Sequence, residues 1–136
     1  MIHSAEEFIR LRTSEDTAEY QRAARDAAPL EVWRELVARH PNMRFWVVQN
    51  KTVPLEILAM LARDDDTDVR CMVASKRKLC HELQHVLALD PEESVRHALA
   101  MNAKVLQEVL QLLAQEQSFV GEAAREQLRS RAAEAG

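Results

Sequence analysis

The sequence predicts an all-α protein, a solenoid of short helix-turn-helix units that recur every 26 residues. Two glycines and four prolines stand against 47% hydrophobic and 29% charged residues, a balance rich in Ala, Leu, Glu, Arg and Gln that favours helix. The β-branched and aromatic residues that strands need are scarce. Asp68 to Ala74 recurs as Ser94 to Ala100 and, more weakly, as Asn42 to Val48, so that Arg44, Arg70 and Arg96 fall 26 residues apart. Apolar residues keep helical spacing within each unit, with Val69, Met72 and Val73 in the first helix and Leu83, Val86 and Leu87 in the second.

From the start of the chain, Ser4-Ala5-Glu6-Glu7 is a capping box that opens a helix. Residues 1–28 are expected to supply capping helices, since the end of a repeat stack needs its apolar face covered. An early unit begins at Pro29-Leu30-Glu31-Val32, which matches Pro54-Leu55-Glu56-Ile57 with one residue lost from the turn between them. First helices are expected over 42–50, 66–76 and 91–101, and second helices over 54–63, 80–89 and 106–115. Glu56, Glu82 and Glu108 align in the second helices, as do Ile57, Leu83 and Val109, and Leu61, Leu87 and Leu113. Val53-Pro54 places proline where its missing N–H does no harm, and Asp90-Pro91-Glu92-Glu93 reads as an N-cap, a proline at the first helical position and a capping-box glutamate. A degenerate half-unit around 120–128 closes the array. Residues 1–136 are thus expected to form one domain, with repeats over 29–116 and a degenerate repeat and tail over 117–136.

Leu61-Ala62-Arg63-Asp64, then Val69-Arg70, Val73-Ala74 and Glu82, resemble the bacterial leucine-rich repeat variant family, whose shape is akin to HEAT and armadillo solenoids. Asn50 and Asn102 match that family's asparagine after the first helix, and Lys76 departs from it. The resemblance covers residues 29–116. It implies a right-handed solenoid in which one helix of each pair is short or partly 3₁₀, and it implies no activity. An iron–sulfur cluster found in that family depends on extra cysteines this chain lacks, so no cofactor is expected.

Eighteen basic residues against twenty-two acidic ones give a net charge of -4, which offers no general attraction to nucleic acid or to an anionic membrane. Two cysteines, Cys71 and Cys80, are too few for a disulfide framework, and the polar start Met1-Ile2-His3-Ser4 lacks a secretory pattern, so a cytoplasmic setting is expected. No apolar run approaches the ~20 residues needed to cross a bilayer.

One motif looks catalytic. His81-Glu82-Leu83-Gln84-His85 fits the helical pattern in which two histidines one turn apart bind zinc and the glutamate acts as general base. Yet Glu82 occupies the position of Glu31, Glu56 and Glu108 in units without such histidines, which gives it a structural explanation. Ala88 and Pro91 stand where a short-spaced third-ligand motif needs glycine and histidine, leaving Glu108 as a distant ligand. Cys71, Cys80 and His97 could join a histidine site, although a small buried thiol and a variable surface histidine explain them as well. No catalytic residue is therefore assigned, and a zinc hydrolase at His81, Glu82 and His85 is the alternative.

The recurring arginines read as an inter-repeat ladder of ion pairs and hydrogen bonds with the acidic turns at Asp64-Asp65-Asp66 and Asp90. The turn 64–68 lacks a calcium-loop pattern and is expected to cap a helix. Lys76-Arg77-Lys78 is the one basic run, which makes a nucleic-acid-binding HEAT-like protein a further alternative.

Positions shared by every unit hold a stack together, whereas variable positions are free to be specific. On the second helices the variable ridge runs through Leu30, Trp33 and Arg34; Leu55, Leu58 and Ala59; His81, Gln84 and His85; and Gln107, Leu110 and Gln111. A protein partner is expected there, with Trp33, Arg34, Leu58, His81, His85 and Gln111 as contact residues, unless the N-terminal helix covers Trp33 and Leu58 through Phe8, Ile9 and Leu11. A shorter variable row on the first helices comprises Phe45 and Gln49, Cys71 and Ser75, and His97 and Met101. The expected function is a protein-interaction module, an adaptor or an immunity-type inhibitor.

Overall fold

Ser4 opens the first helix as expected in the computed structural model, which describes residues 1–135. Its Oγ accepts the Glu7 N–H at 3.0 Å while the Glu7 carboxylate accepts the His3 N–H at 2.9 Å, so donors that the helix start leaves open are satisfied from both sides. Ten α-helices and one 3₁₀ turn follow one another, with no strand among the described residues. None of these helices is long and apolar enough to cross a membrane. The contacts gather into two compact units that meet in sequence at Leu61 and Ala62, within the stretch read as repeats.

The first unit holds α1 (Ala5–Arg12), α2 (Thr17–Arg25), α3 (Leu30–Arg39), a 3₁₀ turn (Pro41–Met43), α4 (Arg44–Gln49) and α5 (Leu55–Leu61). Helix α1 packs on α3 and α2 on α4. The core that results is built on Phe8, Leu11, Trp33, Leu36 and Ile57, all with under 2% of their surface exposed. Phe8 meets the Trp33 ring edge-on at 5.6 Å, so α1 covers Trp33. Asn50, fully buried after α4, donates through Nδ2 to the carbonyls of Ala23 at 2.8 Å and Asp26 at 2.9 Å, capping the end of α2. Arg22 sits 2.8 Å from the Asp26 carboxylate and holds its pKa below the usual range, chiefly through that hydrogen bond.

The second unit holds α6 (Thr67–Ala74), α7 (His81–Ala88), α8 (Glu93–Ala100), α9 (Gln107–Leu113) and α10 (Phe119–Ala135). Helices α6, α8 and α10 pack in succession as one layer, and α7 packs on α9 as the other. Val69, Val73, Val95 and Leu99 from the first layer and Leu87, Val109 and Leu113 from the second are nearly or wholly buried between them. Asn102 repeats the part played by Asn50: its Nδ2 donates to Ala74 O at 2.8 Å and Lys76 O at 2.9 Å, closing the end of α6. Asp66 caps α6 by accepting the Asp68 N–H at 2.8 Å, as the acidic turn suggested.

Arg70 and Arg96 form the expected ladder within this unit. Arg70 pairs with Asp90 at 2.8 Å and donates to the Asp64 carbonyl at 2.7 Å; Arg96 pairs with Glu116 at 3.0 Å and donates to the Asp90 carbonyl at 2.7 Å. Each guanidinium has its pKa raised, mainly by the hydrogen bond to its carboxylate. In the first unit Arg44 donates to the Val37 carbonyl at 2.8 Å.

Three expectations need adjustment here. Asp90 does not cap α8, which starts later, at Glu93, because its carboxylate is turned to Arg70 while accepting only the Glu92 N–H. Met72 and Val86, placed at apolar helical spacing with buried neighbours, are only half-buried. The closing half-unit is part of one continuous 17-residue helix, α10. That helix enters beneath its preceding turn at Gly121, where a Cβ would overlap the Glu116 carbonyl oxygen, so the close approach requires glycine.

Candidate functional site

The second helices were expected to carry the binding ridge, and their side chains divide into two rows. Trp33, Leu58, Gln84 and Leu110 occupy equivalent places in successive second helices and are all buried, at 1%, 2%, 4% and 0% exposure. Trp33 and Leu58, assigned from sequence to partner contact, are therefore core residues, because this place on the helix faces the packed interior. The signal was present in the sequence, since three of the four residues are large and apolar. Gln84 is the polar exception and has both ends satisfied: Nε2 donates to Leu79 O at 3.0 Å and Oε1 accepts the Leu106 N–H at 2.7 Å. It ties the start of α9 to the turn before α7.

One residue further along each helix, Arg34, Ala59, His85 and Gln111 are exposed, as are His81 and Gln107. In the first unit Arg34 on α3 pairs with Glu56 on α5 at 2.6 Å, both side chains half in solvent. In the second unit His85 Nε2 on α7 lies 3.1 Å from the Glu108 carboxylate on α9, a hydrogen bond that becomes an ion pair when the imidazole is protonated. The recurring glutamate thus receives the variable residue of the preceding second helix in both units. Sequence reasoning missed the apolar residues beside these pairs: Met60 in the first unit, and Leu89 and Leu112 in the second, are 47%, 78% and 42% exposed. Equivalent placing of Met60, Val86 and Leu112, one residue past the exposed row, was the available clue.

His81 and His85 lie one turn apart on the exposed side of α7, with Glu82 also exposed. Glu108, the distant ligand considered from sequence, reaches His85, but among the described residues no three histidine, cysteine or acidic side chains come together as a metal site. Cys71 and Cys80 are free thiols, each partly buried.

On the first-helix layer of the second unit, Ser75, Arg77, His97, Ala98, Met101, Asn102 and Ala103 line an open cleft of about 400 Å³. Ser75, His97 and Met101 of the second variable row are among them, and the basic run 76–78 contributes Arg77. The His97 ring leans on Phe119 at 5.1 Å. No family model, curated protein or solved structure matches the chain.

Proposed function

We propose that the chain is a protein-interaction module of the adaptor or immunity-inhibitor kind, acting in the bacterial cytoplasm, and that it is a right-handed solenoid of the leucine-rich repeat variant or HEAT-like type. The observation that carries this reading is the outer side of α7 and α9, where His81, His85 and Gln111 stand exposed beside Leu89 and Leu112. Polar groups mixed with large apolar side chains on a rigid helical surface suit a protein partner better than solvent. In the first unit Arg34 presents a residue type enriched at binding hot spots, although Glu56 already holds one edge of its guanidinium. With Trp33 and Leu58 in the core, the contact set in the second unit is His81, His85 and Gln111, extended by Leu89 and Leu112, and in the first unit Arg34 stands by itself.

Capture of a partner from extracts of the native cell tests this. A His85→Asp, Gln111→Asp double variant is expected to keep its melting temperature and to lose the partner, and Arg34→Asp tests the first unit's exposed pair separately. Undiminished capture by the double variant would show that this face is not the interface and would move attention to the cleft at Ser75, His97 and Met101.

A further inference from the structure

Charge in the second unit is sorted by edge. The turns that lead into its first helices carry Asp64, Asp65, Asp66, Asp90 and Glu116, and the fold uses such residues to cap α6 and to hold Arg70 and Arg96. The turns that follow the first helices, 75–80 and 101–106, contain no acid and carry Lys76, Arg77, Lys78 and Lys104. Asn102 ties these turns together by donating to the Lys76 carbonyl at 2.9 Å, and Arg131 adds a further cation by donating to the Ala103 and Val105 carbonyls at 3.1 and 2.7 Å. The result is a basic edge on a chain of net charge -4. Other arginines are engaged within the chain: Arg70, Arg96 and Arg125 reach oxygen, and Arg12 lies 3.4 Å above the centre of the Trp46 ring, its Nε buried without a hydrogen-bond partner. Arg77 is exposed, and neither it nor Lys78 nor Lys104 has a side-chain hydrogen bond or ion pair among the described residues. Like charges gathered on joined turns without a counter-charge repel one another, so they add nothing to the stability of the fold.

The cleft of about 400 Å³ opens on this edge, since Ser75, Arg77, Asn102 and Ala103 of the joined turns line it with His97 and Met101. That volume is within the range of small-molecule sites, and no acidic residue is part of the lining. Asn102 is fully engaged, its Nδ2 by two carbonyls and its Oδ1 by the Lys104 N–H at 2.9 Å, and the Ser75 hydroxyl donates to the Cys71 carbonyl at 3.0 Å. Arg77 is therefore the charged group of the cleft that has no partner. Beside it the lining is apolar or aromatic: Met101 is 62% exposed, and the His97 ring is braced by Phe119 at 5.1 Å.

We propose that this cleft binds a nucleotide, its phosphate at Arg77 with Lys78 and Lys104 on the flanking turns and its base against His97 and Met101. A phosphate group carries close to two charges at neutral pH and suits a site where several cations gather, and a guanidinium can donate to two of its oxygens at once. A base suits the rest of the lining, because its flat ring system stacks on an imidazole and rests well on a polarisable thioether. The site lies on the first-helix layer and its ligand is not a protein, so it neither rests on the protein-partner reading nor falls with it.

The probe is adenosine monophosphate titrated into the isotope-labelled full chain, with adenosine, inorganic phosphate and a single-stranded deoxyadenylate hexamer in parallel at constant ionic strength. The His97 ring and Met101 methyl resonances are expected to shift saturably with the nucleotide, while the Met60 methyl of the first unit stays in place. Adenosine and inorganic phosphate are each expected to bind more weakly by about tenfold or more, and Arg77→Gln to weaken the nucleotide by a similar factor at an unchanged melting temperature. Absence of a saturable shift, adenosine binding as tightly as the nucleotide, or unchanged affinity in Arg77→Gln would overturn the site. Inorganic phosphate binding as tightly would overturn the part given to the base, and with it the nucleotide. The hexamer separates the sources of the same chemistry: tighter binding than the monophosphate assigns the site to a nucleic-acid strand, equal or weaker binding to a free nucleotide, and either result upholds the phosphate and base contacts. Should Arg77→Gln fail to fold, the nucleotide, adenosine and phosphate on the unaltered chain decide the matter alone.

Discussion

The ion pairs on the turn side of the second unit and those on the outer faces of the second helices use the same chemistry in opposite surroundings. Arg70 and Asp90 are 12% and 6% exposed, and the acid also accepts a backbone N–H. Arg34 and Glu56 form a shorter contact, 2.6 Å against 2.8 Å, yet are 53% and 52% exposed. Distance therefore does not rank them. Removing one partner of a buried pair strands the other charge away from water, whereas an exposed charge simply rehydrates. The first kind of pair belongs to the fold, and the second leaves its residues free for a partner.

The largest effect expected from this contrast is that of Arg70→Ala, which strands Asp90 and releases the Asp64 carbonyl, destabilising by about 3 kcal/mol. Arg63→Ala, at an exposed position of the same unit, is expected to change stability by less than about 0.5 kcal/mol. Urea denaturation compares the two, and equal midpoints would remove the distinction. Next comes Gly121→Ala, which attacks the ladder through its scaffold. The added methyl must displace the turn that Arg125 holds through the carbonyls of Ala114 and Glu116 and that aims Glu116 at Arg96. Overpacking against backbone of this kind costs about 2 kcal/mol, read as a fall in melting temperature. Arg34→Ala sharpens the other side of the comparison: losing the exposed pair with Glu56 is expected to shift stability by only about 0.5 kcal/mol and to lose even that in high salt. A loss as large as that of Arg70→Ala, or one insensitive to salt, would place Arg34 with the fold rather than the surface.

Helix class and the six repeat helices were legible because each rests on short-range order, and the arginine ladder of the second unit because Arg70 and Arg96 recur one unit apart beside acidic turns. Apolar spacing sets which side of a helix turns inward, and caps such as Ser4 and Asp66 act within a few residues of themselves. The place of α2 was not legible. It packs on α4 and has its end closed by Asn50, as α6 has its own closed by Asn102, yet few of its residues match the repeat. What identifies it is a hydrogen bond to backbone carbonyls, which any sequence can supply.

The candidate surface divides in the same way. Exposure of Arg34, His85 and Gln111 followed from their variable register, and cover of Trp33 by Phe8 of the N-terminal helix was one of the two readings of that ridge, while burial of Gln84 and Leu110 one step away did not follow, because variation between units was taken for variation at a surface. A position can differ between units and still be core when each residue fills its own local space, as Trp33 does under Phe8 and Gln84 does by bonding Leu79 and Leu106. The sequence by itself determined the helices, their spacing and the recurring charges, since these depend on neighbours within a turn or one unit away. Only the tertiary structure decided which arginines are satisfied and which is left open, because the carboxylates that meet Arg70 and Arg96 and the ring that lies under Arg12 are 20 or more residues along the chain and the desolvation that gives each contact its weight is set by packing.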